Sequence, residues 1–278
     1  MHNLQVYKMF ELKKYYNCVT QCLEIPGNFN QPINNLPENI TRITFISNCI
    51  FNQSVDNLPK KLTYLSFGYN FNQSVDNLPK FLKHLIFYGV FNQSVDNLPE
   101  NLTHLTFGYD FNQSVNNLPK TLTHLTFGHY FNKSVNNLPK TLTYLTFGDY
   151  FNKSVNNLPK TLTHLSFGYY FNKNLDKLPD NLYFLQLGYK FQKNIIIPNN
   201  IKKLYLTCNN NLLNNLPEHI KTIYIFFSWN ENYNKNIENL PPTITEIHIN
   251  YFDCKKYIKN IPFGTIIKHG IKNIRYTF

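Results

Sequence analysis

One phrase of nine residues recurs along this chain and constrains its fold more than any other feature. The phrase Phe-Asn-Gln-Ser-Val-Asp-Asn-Leu-Pro first stands complete at residues 51–59. It returns every twenty residues, with small variations, from Phe71, Phe91, Phe111, Phe131, Phe151 and Phe171. A fixed period of this length indicates a stacked array in which each repeat contacts only its neighbours. We therefore expect one elongated domain built by repetition.

A second pattern follows each proline of the repeat. Apolar residues stand three, six and eight positions after it, as at Leu62, Leu65 and Phe67. The last two alternate with Tyr64 and Ser66, and alternation places neighbouring side chains on opposite faces of a strand. Each repeat is therefore predicted to contain one short β-strand. Successive strands must pair in parallel because every repeat runs in the same direction.

The rest of each repeat is predicted to return the chain to the next strand. We expect Gly68 to let the chain leave the sheet. Phe71, Val75 and Leu78 would then point inward and line the wall of the core opposite the strands. Pro79 closes the unit in an extended conformation, and twenty residues leave no room for a long helix. The predicted class is a β-rich solenoid.

The prolines define about twelve repeats and three segments. Residues 29–262 are predicted to form the array, residues 1–28 an N-terminal cap, and residues 263–278 an atypical C-terminal repeat or cap. Helical spacing of apolar residues in the first segment, at Leu4, Tyr7 and Phe10, predicts a short capping helix. In the last segment Ile271, Ile274 and Tyr276 are assigned to the strand of the final repeat, after an insertion at residues 263–270.

The repeat resembles the FNIP repeat, a family of amoebae and the giant DNA viruses that infect them. The resemblance rests on Phe-Asn-Gln-Ser-Val followed by Leu-Pro-x-x-Leu-Thr-His-Leu-Thr-Phe-Gly, and it extends over about residues 29–249. FNIP repeats are similar to leucine-rich repeats. The resemblance therefore implies a right-handed horseshoe with one parallel strand per twenty residues, and a role as a protein-interaction scaffold.

Two departures from related repeats matter. The asparagine of leucine-rich repeats would fall at Asn70, but the same position holds Val90 and Asp110 in the next repeats. The recurring asparagine at Asn72, two residues later, is expected to bond the backbone in its place. Many FNIP proteins also carry an N-terminal F-box, whose pattern is not found in residues 1–28, so recruitment of a ubiquitin ligase is not expected here.

Charge and targeting features leave the partner open. The net charge of +11 permits nucleic acid or another acidic surface as a ligand, although the lysines are dispersed along the chain. No stretch is long and apolar enough to span a membrane. N-glycosylation sequons recur from Asn52 to Asn152 at one per repeat, which is too close for bulky glycans. The sequons therefore favour the cytoplasm, that of the host cell if the protein is viral.

The strand residues that point away from the core form the candidate binding site. Aromatic and imidazole side chains there suit recognition of a protein partner, which we expect to belong to the host cell. The alternative is that they only stack across strands and stabilise the sheet. They stand five residues after successive prolines, at Tyr64, His84, His104, His124, Tyr144, His164 and Phe184.

Other chemistry receives little support from the residues. Imidazoles at His84, His104 and His124 lie on adjacent parallel strands and do not converge on a tetrahedral centre, so no metal site and no cofactor are predicted. No nucleophile–base pair or phosphate-binding loop is present, so an enzyme is not expected. The cysteines show no metal-binding spacing and are interpreted as reduced structural thiols, at Cys18, Cys22, Cys49, Cys208 and Cys254.

The sequence therefore predicts a scaffold without enzymatic activity that binds a protein on its parallel sheet. The alternative function is nucleic-acid or acidic-surface binding by a basic repeat array, in which lysines next to the prolines, such as Lys120, Lys140 and Lys160, contact phosphates.

Overall fold

The computed structural model describes residues 12, 14–227, 236–250 and 252–270. These residues divide into two compact units, Met1–Leu142 and Thr143–Phe278, which we describe separately as unit 1 and unit 2. The predicted capping-helix positions Leu4, Tyr7 and Phe10 lie outside the described residues, as do Ile271, Ile274 and Tyr276.

Unit 1 is a ladder of short strands in sequence order. Strand β1 pairs with β2 in antiparallel orientation, and from β2 to β7 every neighbouring pair is parallel. The strands are β1 (Tyr16–Asn17), β2 (Cys22–Ile25), β3 (Arg42–Phe45), β4 (Tyr64–Ser66), β5 (His84–Ile86), β6 (His104–Thr106) and β7 (His124–Thr126). The segment expected to be a cap therefore contributes the first parallel strand of the ladder, β2.

Unit 2 repeats the arrangement with longer strands toward its end. Strands β8 to β14 follow in sequence order, and every neighbouring pair among them is parallel. The strands are β8 (Tyr144–Thr146), β9 (His164–Ser166), β10 (Phe184–Gln186), β11 (Lys203–Thr207), β12 (Thr222–Phe226), β13 (Glu246–Ile249) and β14 (Ile266–His269), with 3-10 helices at Asn211–Asn214 and Phe252–Tyr257.

The repeat period and the register of the strands coincide. In unit 1 the central leucine of one strand lies opposite the central leucine of the next, for example Leu105 opposite Leu125. Both are buried, whereas His104 and Thr106 on either side are half-buried on the other face. The predicted alternation is confirmed, and each unit is a parallel-strand β-solenoid.

In the repeats from Phe45 to Phe171 the core is closed by two phenylalanines from opposite walls. Phe107 follows strand β6, and Phe111 stands at the start of the next recurring phrase; their ring centroids are 3.7 Å apart and the planes of the rings are nearly parallel. Along the second wall Phe111 and Phe131 lie 6.0 Å apart. All three rings are fully buried. Burial of so many aromatic rings is the main favourable contribution to folding in an array of thin repeats.

A polar ladder fixes the turns of successive repeats in register. The side-chain oxygen of Asn72 accepts a hydrogen bond from the backbone N–H of Asn92 at 2.9 Å. The side-chain oxygen of Asn92 accepts one from the backbone N–H of Asn112 at the same distance. In the first repeats the amide of the following glutamine, such as Gln93, also donates to this asparagine oxygen. The expectation that the asparagine column bonds the backbone is confirmed.

The glycine after each strand has a different role from the one we expected. Positive φ angles occur, among the described glycines, at Gly264 and Gly270, neither of which belongs to the recurring column. A Cβ on Gly128 would instead lie 1.7 Å from the carbonyl oxygen of Gly108, and one on Gly188 equally close to Gly168. Glycine is needed because the turns of consecutive repeats touch through their backbones.

The C-terminal end also departs from expectation. We expected an insertion over residues 263–270, followed by a strand that includes Ile274. The structure shows a strand at Ile266–His269, paired in register with β13, so that Ile267 lies opposite Ile247. The residues assigned to an insertion therefore continue the sheet, because a backbone placed beside the edge of β13 gains a row of hydrogen bonds.

Candidate interaction surface

The outer face of the parallel sheet carries the predicted site residues in both units. We call the set in unit 1 the first outer column; it consists of Arg42, Tyr64, His84, His104 and His124. The set in unit 2, Tyr144, His164 and Phe184, is the second outer column. Each residue opens its strand, and period-two alternation turns it away from the buried leucine that follows.

The first outer column is a continuous stack of planar groups. The guanidinium of Arg42 lies 3.5 Å from the ring centroid of Tyr64, and Tyr64 is 5.7 Å from His84. The imidazole centroids of His84 and His104 are 4.2 Å apart, and those of His104 and His124 are 4.1 Å apart. The cross-strand stacking that formed the alternative to a binding role therefore exists.

The second outer column begins in the same way. Tyr144 and His164 stack with ring centroids 4.0 Å apart, and His164 lies 5.6 Å from Phe184. Tyr144 is 40% exposed, and His164 and Phe184 are half-buried. Stacking thus leaves a substantial part of each ring open to a partner.

Beyond Phe184 the aromatic column moves two residues along the strands. Tyr205 lies opposite Gln186 in the sheet, and its ring centroid is 4.7 Å from that of Phe184. The stack then continues through Tyr224 at 3.9 Å and His248 at 4.2 Å. Burial raises the pKa of the Tyr205 hydroxyl well above its usual range.

Sequence reasoning missed these three aromatic residues, although a signal was present. Each stands seven positions after its proline, Pro198, Pro217 or Pro241, which is the other outward-facing position of the strand. In earlier repeats that position mostly holds Ser or Thr, although Ile86 and Gln186 also occupy it, and Ser66 is almost fully buried. The outer face therefore has one aromatic track that changes position, rather than one fixed column.

Threonine side chains select the tautomer of three histidines. The hydroxyl of Thr103 lies 3.1 Å from the carbonyl oxygen of Lys83 and 2.9 Å from Nδ1 of His104. A hydroxyl has one proton, so when it donates to the carbonyl it must accept from the ring, which places the imidazole proton on Nδ1. Equivalent contacts join Thr123 to His124 and Thr163 to His164. In each neutral ring Nε2 is then the hydrogen-bond acceptor.

The environment of the outer columns favours the neutral form of three imidazoles, those of His84, His104 and His164. Partial burial lowers the pKa of His84, and the nearby positive charges of His104, Arg42 and Lys83 lower it further. Burial likewise lowers the pKa of His104, and burial with the charge of Lys203 lowers that of His164. An imidazole ordinarily titrates near pH 6.5, so these three carry no charge at neutral pH.

A second set of exposed rings, not predicted from the sequence, follows the strands. In unit 1 Tyr109 stacks on His129 at 4.4 Å, and Tyr130 meets both edge-on. In unit 2 Tyr150 lies 4.8 Å from Tyr170, and each is 41% exposed. The available signal was the aromatic residue one or two positions after the recurring glycine.

Other kinds of site receive no support from the described part of the chain. No group of three or more histidine, cysteine or acidic side chains there is arranged to hold a metal ion. Among the described residues, Cys18, Cys22, Cys49 and Cys208 form no disulfide. Burial raises the pKa of the Cys49 thiol, whose Sγ donates to the carbonyl oxygen of Pro26. Nor do the described residues include a helix of the length and apolarity that a bilayer requires.

The profile of one family, described as FNIP Repeat, matches this chain repeatedly. The matched residues are 29–70, 51–88, 91–130, 111–150, 131–170 and 151–190, which together cover more than half of the sequence. The chain belongs to the FNIP repeat family. The resemblance proposed from its recurring phrase is thus confirmed, and the recurring positions of this FNIP protein include those that build the phenylalanine core and the asparagine ladder.

A solved structure shares this fold. The crystal structure of CroV588, a giant-virus protein described as a novel circular LRR protein, is 36% identical with a TM-score of 0.76; the match covers 93% of the FNIP chain and 42% of CroV588. The FNIP chain therefore spans less than half the length of that relative. YopM from Yersinia enterocolitica is 17% identical, with a TM-score of 0.40 and coverages of 93% and 76%.

The third structure is the functional domain of InlJ from Listeria monocytogenes, described as including a cysteine ladder. It is 13% identical with a TM-score of 0.45, and the match covers 82% of the FNIP chain and 53% of the InlJ chain. No curated protein matches the FNIP chain in sequence.

Proposed function

We propose that this FNIP repeat protein is a scaffold without enzymatic activity or a cofactor, and that it binds a protein partner on the outer columns of its sheet. The observation that carries the proposal is the run of half-exposed planar side chains on consecutive strands. Stacked rings lose little conformational entropy on binding, so they suit the centre of a protein interface. Family membership and the leucine-rich-repeat-like fold support the same role.

The chemistry of the columns defines the partner surface they fit. Neutral rings of His104 and His164 offer Nε2 as an acceptor beside apolar ring faces. A matching partner therefore places apolar or aromatic side chains on the rings and hydrogen-bond donors opposite Nε2. Protonation converts Nε2 into a donor, so binding should weaken as the pH falls below about 6.5.

The asparagine ladder supports a cytoplasmic location, in a host cell if the protein is viral. Asn72 and Asn92 belong to the recurring sequons, and the neighbouring Phe71 and Phe91 rings are 6.1 Å apart. Glycans on consecutive asparagines at that spacing would collide. We also propose that the chain divides into an N-terminal cap at 1–28, a repeat array at 29–262 and an atypical C-terminal repeat or cap at 263–278.

The function is tested by partner capture with matched variants. Changing His104, His124 and Tyr144 together to Ser removes rings from the outer face and no core atom, so the circular dichroism spectrum should not change. Partners are defined as proteins captured by the natural chain from host-cell extract and then bound by it as a purified pair. The triple Ser variant should lose at least tenfold in affinity for that purified partner.

The control changes three exposed lysines next to prolines, Lys120, Lys140 and Lys160, to Gln. We expect this variant to retain affinity within about threefold and to associate more slowly at low salt, as rim charges generally affect the on-rate. Retained binding by the Ser variant together with lost binding by the Gln variant would contradict the proposal and favour an electrostatic surface.

A further inference from the structure

The turn face of unit 2 combines exposed rings with exposed lysines in consecutive repeats. Tyr150 and Tyr170 form what we call the tyrosine row; both are 41% exposed, and their ring centroids are 4.8 Å apart. Three residues after each stands a lysine of the lysine row, which consists of Lys153, Lys173 and Lys193. All three lysines are exposed. Three residues of chain span at most about 10 Å, so the rows run side by side.

The same position in the first repeats of unit 1 has a structural role. There it holds glutamines, which are half-buried: Gln53, Gln73, Gln93 and Gln113. The amide of Gln73 donates to the side-chain oxygen of Asn52 at 3.1 Å, and that of Gln93 donates to Asn72 at 3.0 Å. The lysine row therefore replaces a group that holds the turns together with one that faces solvent. Unlike the glutamines, the lysines are available to a ligand.

The ring and the lysine appear together at Tyr150 and Lys153 and at Tyr170 and Lys173, and also at Tyr130 and Lys133 of unit 1, whereas Lys193 follows Lys190. The residues three positions before the unit 1 glutamines are Ile50, Asn70, Val90 and Asp110, none of which is aromatic. Acidic side chains also decrease between the two regions. Asp56, Asp76 and Asp96 follow the glutamines, whereas the equivalent of Asp96 after Lys153 is Asn156, and Asp176 has Lys177 beside it. Lysines and aromatic rings therefore lie together on the turn face of unit 2, with the carboxylate of Asp149 beside Tyr150.

The scaffold beneath the lysine row is rigid and regular. The rings of Phe151 and Phe171, two positions before the first two lysines, are 6.0 Å apart, and Phe171 and Phe191 are also 6.0 Å apart. The backbone N–H of Asn172 donates to the side chain of Asn152 at 3.1 Å, which holds the lysine-bearing segments in register. The lysines thus recur once per repeat on segments that are held in register.

We propose that the turn face of unit 2 binds single-stranded nucleic acid, with phosphates along the lysine row and bases against the tyrosine row. A basic row beside aromatic side chains is the combination by which proteins bind single strands without sequence preference. Since the two rings are only 4.8 Å apart, no base inserts between them; bases contact the exposed edges and the outer face of Tyr170.

The magnitude of the charge effect favours a nucleic acid over an acidic protein. Each lysine that neutralises a phosphate releases condensed counterions, which gives affinity without precise geometry. An exposed lysine–carboxylate pair contributes only about 0–1 kcal/mol, because it gains no such release. This surface lies on the turns and is independent of the outer columns proposed to bind protein.

Fluorescence anisotropy with a labelled 20-nucleotide single-stranded RNA of mixed sequence tests the proposal. At 50 mM salt the natural protein should bind with a dissociation constant on the order of 1–100 µM. Changing Lys153, Lys173 and Lys193 to Gln, the residue that the first repeats of unit 1 have at this position, should weaken binding at least tenfold. It should also reduce the slope of log K against log salt by about 2, at about 0.7 per phosphate.

The tyrosine row is tested in the same assay. Changing Tyr150 and Tyr170 to Asn should weaken binding about tenfold with an unchanged salt slope, because stacking is lost and no charge is removed. The pair of Tyr→Phe changes keeps the rings and should retain affinity within about twofold. A duplex of the same sequence should bind at least fivefold more weakly than the single strand, since its bases are covered.

Three results would overturn the proposal. One is the absence of binding by the natural protein at 50 mM salt. Another is an equal loss for the control that changes Lys120, Lys140 and Lys160 to Gln, because diffuse charge would then explain binding. The third is equal affinity for the single strand, the duplex and inorganic polyphosphate, which would leave the rings without a role. The outer-column Ser variant should bind RNA normally, so the two proposals fail or succeed separately.

Discussion

The inner and outer faces of the sheet in unit 1 differ in how much they vary. On the inner face strands β4 to β7 all place a leucine at the centre, and a phenylalanine follows each strand, fully buried. On the outer face the same four strands begin with Tyr64, His84, His104 and His124. Both faces consist of stacked columns with the same twenty-residue period, yet one is uniform and the other is not.

The difference follows from what surrounds each column. An inner side chain is enclosed by the repeats before and after it and by the opposite wall, so a change in volume leaves a cavity or a clash. An outer side chain touches its cross-strand neighbours and, at three histidines, the preceding threonine, but one side of it stays open, and different planar groups can stack there. The inner face therefore specifies the fold, and the outer face is free to carry recognition.

The largest expected effect comes from breaking the inner column alone. Leu125→Ala should reduce the free energy of unfolding by about 2–5 kcal/mol, because Leu125 is 1% exposed and neighbouring repeats prevent collapse of the cavity. Thr126→Ala, on the outer face of the same strand, should change it by at most about 0.5 kcal/mol. Urea unfolding followed by circular dichroism measures both, and equal costs would show that the two faces are misassigned.

Disrupting the backbone contact between consecutive turns should have the second-largest effect on the free energy of unfolding. Gly128→Ala should destabilise the protein by about 1–3 kcal/mol, since the new Cβ would lie 1.7 Å from the carbonyl oxygen of Gly108 and the turns must separate. Ser114→Ala, at an exposed position of the neighbouring turn segment, is the matched control and should have little effect. If Gly128→Ala is as stable as the natural protein in urea, the turns are not in contact.

Breaking the asparagine ladder at one repeat should destabilise the protein by a similar or slightly smaller amount than Gly128→Ala. Asn112→Ala removes the acceptor that lies 3.0 Å from the backbone N–H of Asn132, and an unsatisfied partly buried donor costs about 1–3 kcal/mol. Asn116→Ala removes an exposed asparagine of the same repeat and should cost less than about 0.5 kcal/mol. A comparable loss in both variants, measured by urea unfolding, would assign the asparagine column no special role.

The smallest effect concerns the charge of the outer columns. The folded-state pKa values of His84, His104 and His164 are lowered, so the unfolded chain binds protons more readily below about pH 6.5. The stabilisation of the folded state that these histidines provide is fully present above that pH and is lost as the pH falls. The urea midpoint should therefore decrease between pH 7.5 and 5.0.

A variant with these three histidines changed to Gln isolates their contribution. Its midpoint should decrease less over the same range than that of the natural protein. Hydrogen bonds from Ser54 and Lys268 lower the pKa of Asp56 and Glu246, so the effects of these carboxyls are expected below the measured range. If both proteins respond identically to pH, the imidazoles are not held neutral by the column.

Part of the candidate site was predictable and part was not. The first residues of the strands, from Tyr64 to Phe184, follow from alternation within a known period. The move of the aromatic track to Tyr205 and Tyr224 was not predicted, because either outward position satisfies the same pattern. The tautomer of His104 depends on its contact with the hydroxyl of Thr103. That hydroxyl in turn donates to a carbonyl of the preceding repeat, and no local sequence pattern specifies this second contact.

The sequence by itself determined the repeat, the strand in each repeat and the division into inner and outer faces. These follow from periodicity, since a side chain two residues away always returns to the same face of a strand. The family was also evident from the recurring phrase.

Only the tertiary structure decided which groups touch between repeats. The need for Gly128, the continuation of the sheet at Ile266–His269, and the exposure of Lys153 where Gln53 is half-buried all depend on the distance between successive turns. That distance results from packing the phenylalanine core as a whole. It is a property of contacts twenty residues apart, and the residues within one repeat do not specify it.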